Sequence, residues 1–410
     1  MLPNQLTRAC TTSNKMRTVG MFLLVSAAIA SGHLQPALAG PVEASHGAYK
    51  VLSPIQSGNL MLFPVVKTSG RAAPSDQFLT LDEGLKSGEV EVTEAGKTRG
   101  LVRSRGGVPV PSTSHQGDQV NTLVLINHSH RPLLMLAGEI VTGGKQDRVI
   151  AKDRIVPPGG DPVDLSVFCI EPGRWTESSA NFGATAKEPS GSFMVQPTVR
   201  QQAMVAKDQQ QVWSAVGGAI SEMAAVAAPA RNVGASQGMG GGVGAGLGTT
   251  SYAKAMQARV VSSKVDEAEA PLMKSREQIL AALIQEHAVG VVVAVRGEII
   301  WADIFAGTDL LTRYWPKLVR SYAAEGLSGS AHSASASLAD AQQFLDAPAE
   351  GTAETSEGEV GIYRYREIKH NETDTFVLEA LLPGTGYDVH LSKLKLKGNY
   401  SIHHSPYVTR

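Results

Sequence analysis

Residues 120–141 read VNTLVLINHSHRPLLMLAGEIV: two apolar runs, 120–127 and 132–141, parted by His128-Ser129-His130-Arg131. Short runs rich in branched residues, with a polar tetrad between them, predict strand–turn–strand. Toward the C-terminus, 149–156 and 163–170 continue the series, punctuated by Pro157-Pro158-Gly159-Gly160. Toward the N-terminus, 58–67 (GNLMLFPVVK) predict a strand. Thr80, with an acid three residues on, marks a capped helix start over 80–86. Residues 89–94 alternate Val with Glu and Thr, as a half-exposed strand does, and 99–117 are a Gly-, Pro- and Ser-rich loop.

The middle of the chain changes period. Residues 206–227 predict a helix weakened by Gly217-Gly218, and 234–248 a glycine-dense flexible loop. The strongest helical pattern spans 270–288. It has Leu272, Ile279, Leu280, Leu283 and Ile284 on one face and Pro271 near its start. Apolar runs in 289–305 flank Arg296-Gly297, a hairpin signal. Helical spacing returns over 310–324, with Pro316 as a kink or break. The segment 326–359 is poor in large apolar residues except for a short helix at 338–345. Three closing strands follow at 361–369, 375–382 and 387–395, then a tail, 398–410. Strands at both ends with helices between them predict an α+β fold: a β-rich N-terminal half, central helices and closing β-strands in a single large domain.

The 410 residues are 42% hydrophobic and 18% charged, which predicts a sizeable buried core. Residues 1–39 read as a secretory signal peptide. Arg8, Lys15 and Arg17 form the positive region, 19–30 (VGMFLLVSAAIA) the apolar core, and Ala37-Leu38-Ala39 the small residues a signal peptidase reads. The apolar core is shorter than the ~20 residues a spanning helix needs. Met16 would give a tighter start. Export to the periplasm or the cell exterior is the expectation, with the mature chain beginning near Gly40 and no integral membrane segment after cleavage. Removing the three basic residues of the leader from 37 leaves 34 against 38 acids, a charge of −4. That balance offers no electrostatic footprint for nucleic acid or anionic lipid. Of Cys10 and Cys169 only the second survives cleavage, so no intrachain disulfide is expected.

Two dense polar strings are the candidates for chemistry. The first is Gly138-Glu139 with Gly143-Gly144-Lys145-Gln146-Asp147-Arg148; the second is Cys169-Ile170-Glu171-Pro172-Gly173-Arg174-Trp175. A carboxylate, an amide and a guanidinium on a glycine turn suit a polar ligand, and suit a self-satisfied turn equally well. On a strand over 163–170, Cys169 and Glu171 would share a face. A neighbouring carboxylate raises a thiol pKa, so Cys169 reads as a buried hydrophobe unless His128, His130 or His287 is brought beside it. The run 238–248 lacks the Lys-Ser or Lys-Thr of a phosphate loop, as does Gly143-Gly144-Lys145. The pairs His128/His130 and His403/His404 have no third metal ligand at a recognisable spacing, and Glu286-His287 reads as a helix end. No metal or cofactor is therefore expected, and no Gly-x-Ser-x-Gly or His-Glu-x-x-His string occurs.

The stretches 120–127, 133–144, 145–148, 169–175, Val212-Trp213, 290–305, 310–322 and Val389-His390-Leu391 together resemble the ARPP family, the ARG and rhodanese-phosphatase-superfamily-associated protein domain. Gly-Gly-Lys-Gln-Asp-Arg and Cys-x-Glu-x-Gly-Arg-Trp are its most specific marks. The resemblance covers about 48–397. It implies a shared fold and a shared polar patch, with no catalytic residue to carry over. The family's name records association with ADP-ribosylglycohydrolases, rhodaneses and phosphatases.

These observations favour an exported binding or accessory module for a small molecule or protein. Glu139, Lys145, Gln146, Asp147, Arg148, Glu171, Arg174 and Trp175 would line one polar cleft. The alternatives are a hydrolase for a small or glycosidic substrate, with Glu139, Asp147 or Glu171 as acid and base, and a structural module whose polar strings stabilise turns.

Overall fold

A computed structural model describes residues 48–68, 75–98, 100–111, 122–184, 193–228, 247–274, 287–327, 335–347, 353–370 and 372–396. The leader at 1–39, most of the 234–248 loop, most of the helix expected at 270–288, and the tail lie outside them. In chain order the strands are β1 (Tyr49–Val51), β2 (Ile55–Ser57), β3 (Leu60–Lys67), β4 (Leu79–Thr80), β5 (Val90–Glu94), β6 (Leu101–Arg103), β7 (Pro109–Pro111), β8 (Thr122–Asn127), β9 (Leu133–Met135) and β10 (Ile140–Val141). They continue with β11 (Arg148–Ile150), β12 (Arg154–Val156), β13 (Val163–Cys169), β14 (Ala288–Val295), β15 (Glu298–Phe305), β16 (Ala353–Glu359), β17 (Tyr363–His370), β18 (Thr373–Ala380) and β19 (Tyr387–Lys395). The helices are α1 (Leu81–Ser87), α2 (Pro197–Gln201), α3 (Gln209–Ala227), α4 (Tyr252–Gln257), α5 (Arg259–Lys274), α6 (Thr308–Gly326) and α7 (Leu338–Asp346).

The strands form three sheets in one α+β domain. A nine-stranded antiparallel sheet runs β1-β3-β14-β15-β19-β18-β17-β16, with β2 also on β3. A seven-stranded sheet runs β10-β11-β13-β6-β7, with β8 between β13 and β5. A three-stranded sheet runs β12-β9-β4. Between the nine- and three-stranded sheets lies the largest core, where Trp301, Phe305, Tyr314, Trp315 and Tyr322 meet Leu134, Leu136 and Ile155. Helix α7 covers the other face of the large sheet, over Val51, Phe63 and Val292. Helices α3 to α5 pack on Ile140, Val149 and Phe168 of the seven-stranded sheet.

Residues 120–141 form the expected strand–turn–strand, but its two strands do not pair with each other. β8 and β9 belong to different sheets. The cause is Asn127, whose amide nitrogen donates to the carbonyls of Arg131 (2.8 Å) and Val156 (3.2 Å), while its oxygen accepts from Ser129 N (3.1 Å) and Ser129 Oγ (2.7 Å). The tetrad is thereby tied into a corner that carries the chain out of one sheet and into the next. The runs 132–141 and 149–156 each break in two. At the breaks, Glu139 Oε2 accepts from Leu136 N and Asp153 Oδ1 from Ala137 N, both at 2.7 Å, in place of ladder bonds. Helix α6 runs on through Pro316. Burial of Leu311, Trp315 and Leu318 on both sides of the proline outweighs its cost of ~3 kcal/mol. Helix α3 likewise runs through Gly217-Gly218, and β16 occupies part of the apolar-poor segment. Thr80 forms the expected capping box with Glu83.

Candidate functional site

The hairpin β10–β11 organises both polar strings. Its register pairs Ile140 with Val149 and Val141 with Arg148, so the Gly-Gly-Lys-Gln-Asp turn is its tip. Gly144 sits at φ 49°, and a Cβ there would stand 2.3 Å from Phe182 Cζ, so the close approach of turn and ring requires glycine. β11 pairs with β13, Arg148 opposite Cys169, which brings the second string alongside.

Arg174 joins the two strings. Its Nε donates to Glu171 Oε2 (2.5 Å), its Nη2 to Asp147 Oδ1 (3.3 Å) and its Nη1 to the Gly144 carbonyl (2.8 Å). The planar fork of guanidinium donors suits this bridging, and a lysine has no such fork. Asp147 also accepts from Gly143 N (3.1 Å) and Ser251 Oγ (3.0 Å), and Glu171 Oε1 accepts from Lys254 Nζ (3.2 Å). Both carboxylates are buried, whereas Lys254 is largely exposed. Burial, then the neighbouring Glu171, pushes the Asp147 carboxyl above its ordinary range. Trp175, the one exposed tryptophan among the described residues, follows Arg174 directly.

Arg148 and Lys145 engage Glu94 instead. Arg148 Nη2 lies 3.6 Å from Glu94 Oε1, which also accepts from Lys145 N (3.0 Å), and the guanidinium sits over the Phe182 ring. Gln146 is fully buried, and neither atom of its amide finds a partner among the described residues. Cys169 lies beside Arg148 and Glu94, and burial pushes its thiol up to about 11, which leaves it a poor nucleophile. β13 ends at Cys169, so the strand on which Cys169 and Glu171 would share a face does not reach Glu171.

Glu139 stands apart from this group, at the base of the hairpin. Its Oε1 accepts from Lys317 Nζ of α6 at 2.6 Å, and Lys317 also pairs with Asp82. Burial raises the Glu139 carboxyl against the pull of Lys317. Burial lowers Lys317, but Asp82 and Glu139 outweigh it and hold the ammonium charged. Thus Lys145, Gln146, Asp147 and Arg148 lie in or next to the turn, Glu171 and Arg174 contact it, Trp175 follows Arg174 in sequence, and Glu139 anchors the hairpin's base. His128 is exposed, 3.7 Å from Glu91. Among the described residues no group of three or more His, Cys, Asp or Glu is placed to hold a metal ion, and no helix is long and apolar enough to cross a membrane.

Spacing in sequence did not point to Glu94, Ser251 or Lys254, which distant elements deliver. It also did not point to a second buried cluster of Asp153, Arg200, Asp303, His390 and Ser392. A signal was present there: Asp303 interrupts the apolar strand IIWADIFA, and a charge inside such a run is costly unless paired.

The family model of the ARG and Rhodanese-Phosphatase-superfamily-associated Protein domain matches residues 48–394, most of the chain. The chain belongs to this family. Its ARPP domain therefore includes the hairpin, both polar strings and the closing strands, β19 up to Leu394. No curated protein and no solved structure matches it.

Proposed function

We propose that this ARPP domain is an exported binding module for a small polar ligand carrying a negative charge, received at the tip of the β10–β11 hairpin. One observation carries the reading: Arg174 and Lys254, both reaching solvent, are held in place by the buried carboxylates of Asp147 and Glu171, next to exposed Trp175. Fixed cations beside an aromatic face are pre-organised, so little conformational entropy is lost on binding. Four cations (Lys145, Arg148, Arg174, Lys254) against three carboxylates (Glu94, Asp147, Glu171) leave the tip one positive charge in excess, which favours an anion. The unpartnered Gln146 amide adds to this, since a buried amide left unpaired costs ~1–3 kcal/mol and invites a polar guest.

A hydrolase is the second reading. The raised Asp147 carboxyl beside Glu171 favours it, because separated acidities are what an acid–base pair needs. Titrating the mature chain with glucuronate, adenosine monophosphate and benzoate while following tryptophan fluorescence separates the two. Binding predicts saturable quenching by at least one probe, lost in Arg174→Ala and Trp175→Phe. No quenching by any probe counts against the module. Turnover of glycoside or phosphoester substrates that disappears in Asp147→Asn selects the hydrolase.

A further inference from the structure

His390 is fully buried with both ring nitrogens facing carboxylates. Its Nδ1 is 2.6 Å from Asp153 Oδ2 and its Nε2 3.2 Å from Asp303 Oδ1. Asp153 stands just before β12 of the three-stranded sheet, while Asp303 and His390 belong to β15 and β19 of the nine-stranded sheet. His390, Asp153, Asp303 and Ser392 are all fully buried.

A neutral imidazole carries one N–H and one lone pair. Placed here, between two fully buried carboxylates, it would turn that lone pair toward a carboxylate oxygen. Asp303 is fixed as an anion. Arg200 Nη1 (2.8 Å), Ser392 Oγ (2.7 Å) and Tyr322 Oη of α6 all donate to it, and Arg200 Nη2 also donates to Ser392 (3.0 Å). Asp153 Oδ1 accepts from Ala137 N, and its carbonyl accepts from Arg105 Nη2 (3.0 Å). The other polar rings near the cluster, Tyr314 and Tyr365, are phenols that burial keeps neutral, and Phe305 lies against the imidazole at 4.7 Å. Arg105 has its own counter-charge in Glu357 at 2.7 Å, so within the cluster two carboxylates face the single guanidinium of Arg200, and a protonated His390 brings it to neutrality.

We infer that His390 is a buried imidazolium that rivets the base of the β10–β11 hairpin to the nine-stranded sheet, so that removing its proton frees the hairpin: an alkaline-sensitive lock. The chain from Ala137 to Asp153 is the lever, for Asp153 holds Ala137 N with one oxygen and His390 with the other. The electrostatics agree with this geometry. Burial pulls His390 down, but Asp153 and Asp303 outweigh it and raise it to about 9. The inference does not depend on what the hairpin tip binds.

Nitrogen-15 NMR of the histidine-labelled chain tests it without a substitution. The chain has 11 histidines. A free imidazole, with a pKa of ~6.5, is neutral at pH 8. One histidine with both ring nitrogens protonated at pH 8 is expected, and its absence would overturn the inference. A proton placed on Asp153 instead would leave every ring with a single N–H and counts against it equally. Amide exchange tests the lever. Between pH 7.5 and 9.5, protection at Ala137 should fall at least tenfold after correction for the intrinsic rate, while β14 keeps its protection. Equal behaviour at both places sinks the lock. In Asp153→Asn the remaining doubly protonated ring should disappear at pH 8; its persistence would assign the lock elsewhere.

Discussion

Lys317 Nζ lies 2.6 Å from Glu139 Oε1, and this buried contact ties helix α6 to the base of the β10–β11 hairpin. The hairpin is thus held ionically at its base, by Lys317 through Glu139 and by His390 through Asp153. At its tip it is joined to α4 by Ser251 and Lys254. The polar turn is positioned by side chains far from it in sequence, so its geometry is a property of the whole domain.

Glu139→Gln should therefore lower stability and leave probe binding at the tip unchanged. Removing one partner of a buried pair costs ~3–5 kcal/mol, and Asp82 still neutralises Lys317, so about 3 kcal/mol is expected in urea denaturation. The double variant Glu139→Gln with Lys317→Met should recover part of that loss, because the buried ammonium is gone and the carboxylate it leaves behind, Asp82, is partly exposed. Losses that simply add would refute this account.

Asp147→Asn and Glu171→Gln should part company. Burial and Glu171 hold the Asp147 carboxyl up, so its charge is kept at a cost. An asparagine oxygen still accepts from Gly143 N or Ser251, and a change within about 1 kcal/mol is expected. Glu171→Gln strips the counter-charge from Lys254, leaves Arg174 only Asp147 at 3.3 Å, and should cost roughly 2 kcal/mol. Thermal melts at pH 7 that rank the two the other way would show that Asp147 anchors Arg174.

Gly144→Ala and Gly58→Ala separate crowding from backbone strain. Both glycines have positive φ, 49° and 55°, at which alanine costs about 1 kcal/mol. A Cβ at Gly58 meets nothing within 4 Å, whereas at Gly144 it would stand 2.3 Å from the Phe182 ring. Gly58→Ala should lose only the strain. Gly144→Ala should lose about 3 kcal/mol and tip binding with it. Equal losses would mean that the ring moves aside freely.

The sequence is legible where physics is local. The Thr80 capping box, the hairpin at Arg296-Gly297 and the three closing strands follow from neighbours within a few residues, and all are present. The two polar strings were readable as strings, and cross-strand pairing of Arg148 with Cys169 brings them together. What local pattern does not encode is which sheet a strand joins. The exit of β9 from the sheet of β8 depends on Asn127 reaching Val156, and the division of Glu139 from Asp147 depends on a lysine of α6. The His390 cluster joins residues up to 237 positions apart, so only the folded chain displays it.

Stability should fall as pH rises from about 6.5, and two buried groups shape the curve. His390 has its pKa raised from 6.5 to about 9 by Asp153 and Asp303 against the cost of burial. Its contribution is complete below 6.5 and is lost as pH climbs through 9, roughly 3 kcal/mol in all at ~1.4 kcal/mol per pKa unit. Lys393 runs the opposite way. Burial lowers its ammonium from 10.5 to about 8, although it donates to the Ala347 carbonyl at 2.6 Å. Between pH 8 and 10.5 the unfolded chain binds the extra proton, so stability gains with pH there. Calorimetric melts should show a decline from pH 6.5 to 8 that flattens between 8 and 9. In Lys393→Met the flattening should vanish, and the decline should continue to pH 9. A wild-type melting temperature that is level or rising between pH 6.5 and 8 would mean that His390 is neutral in the folded chain.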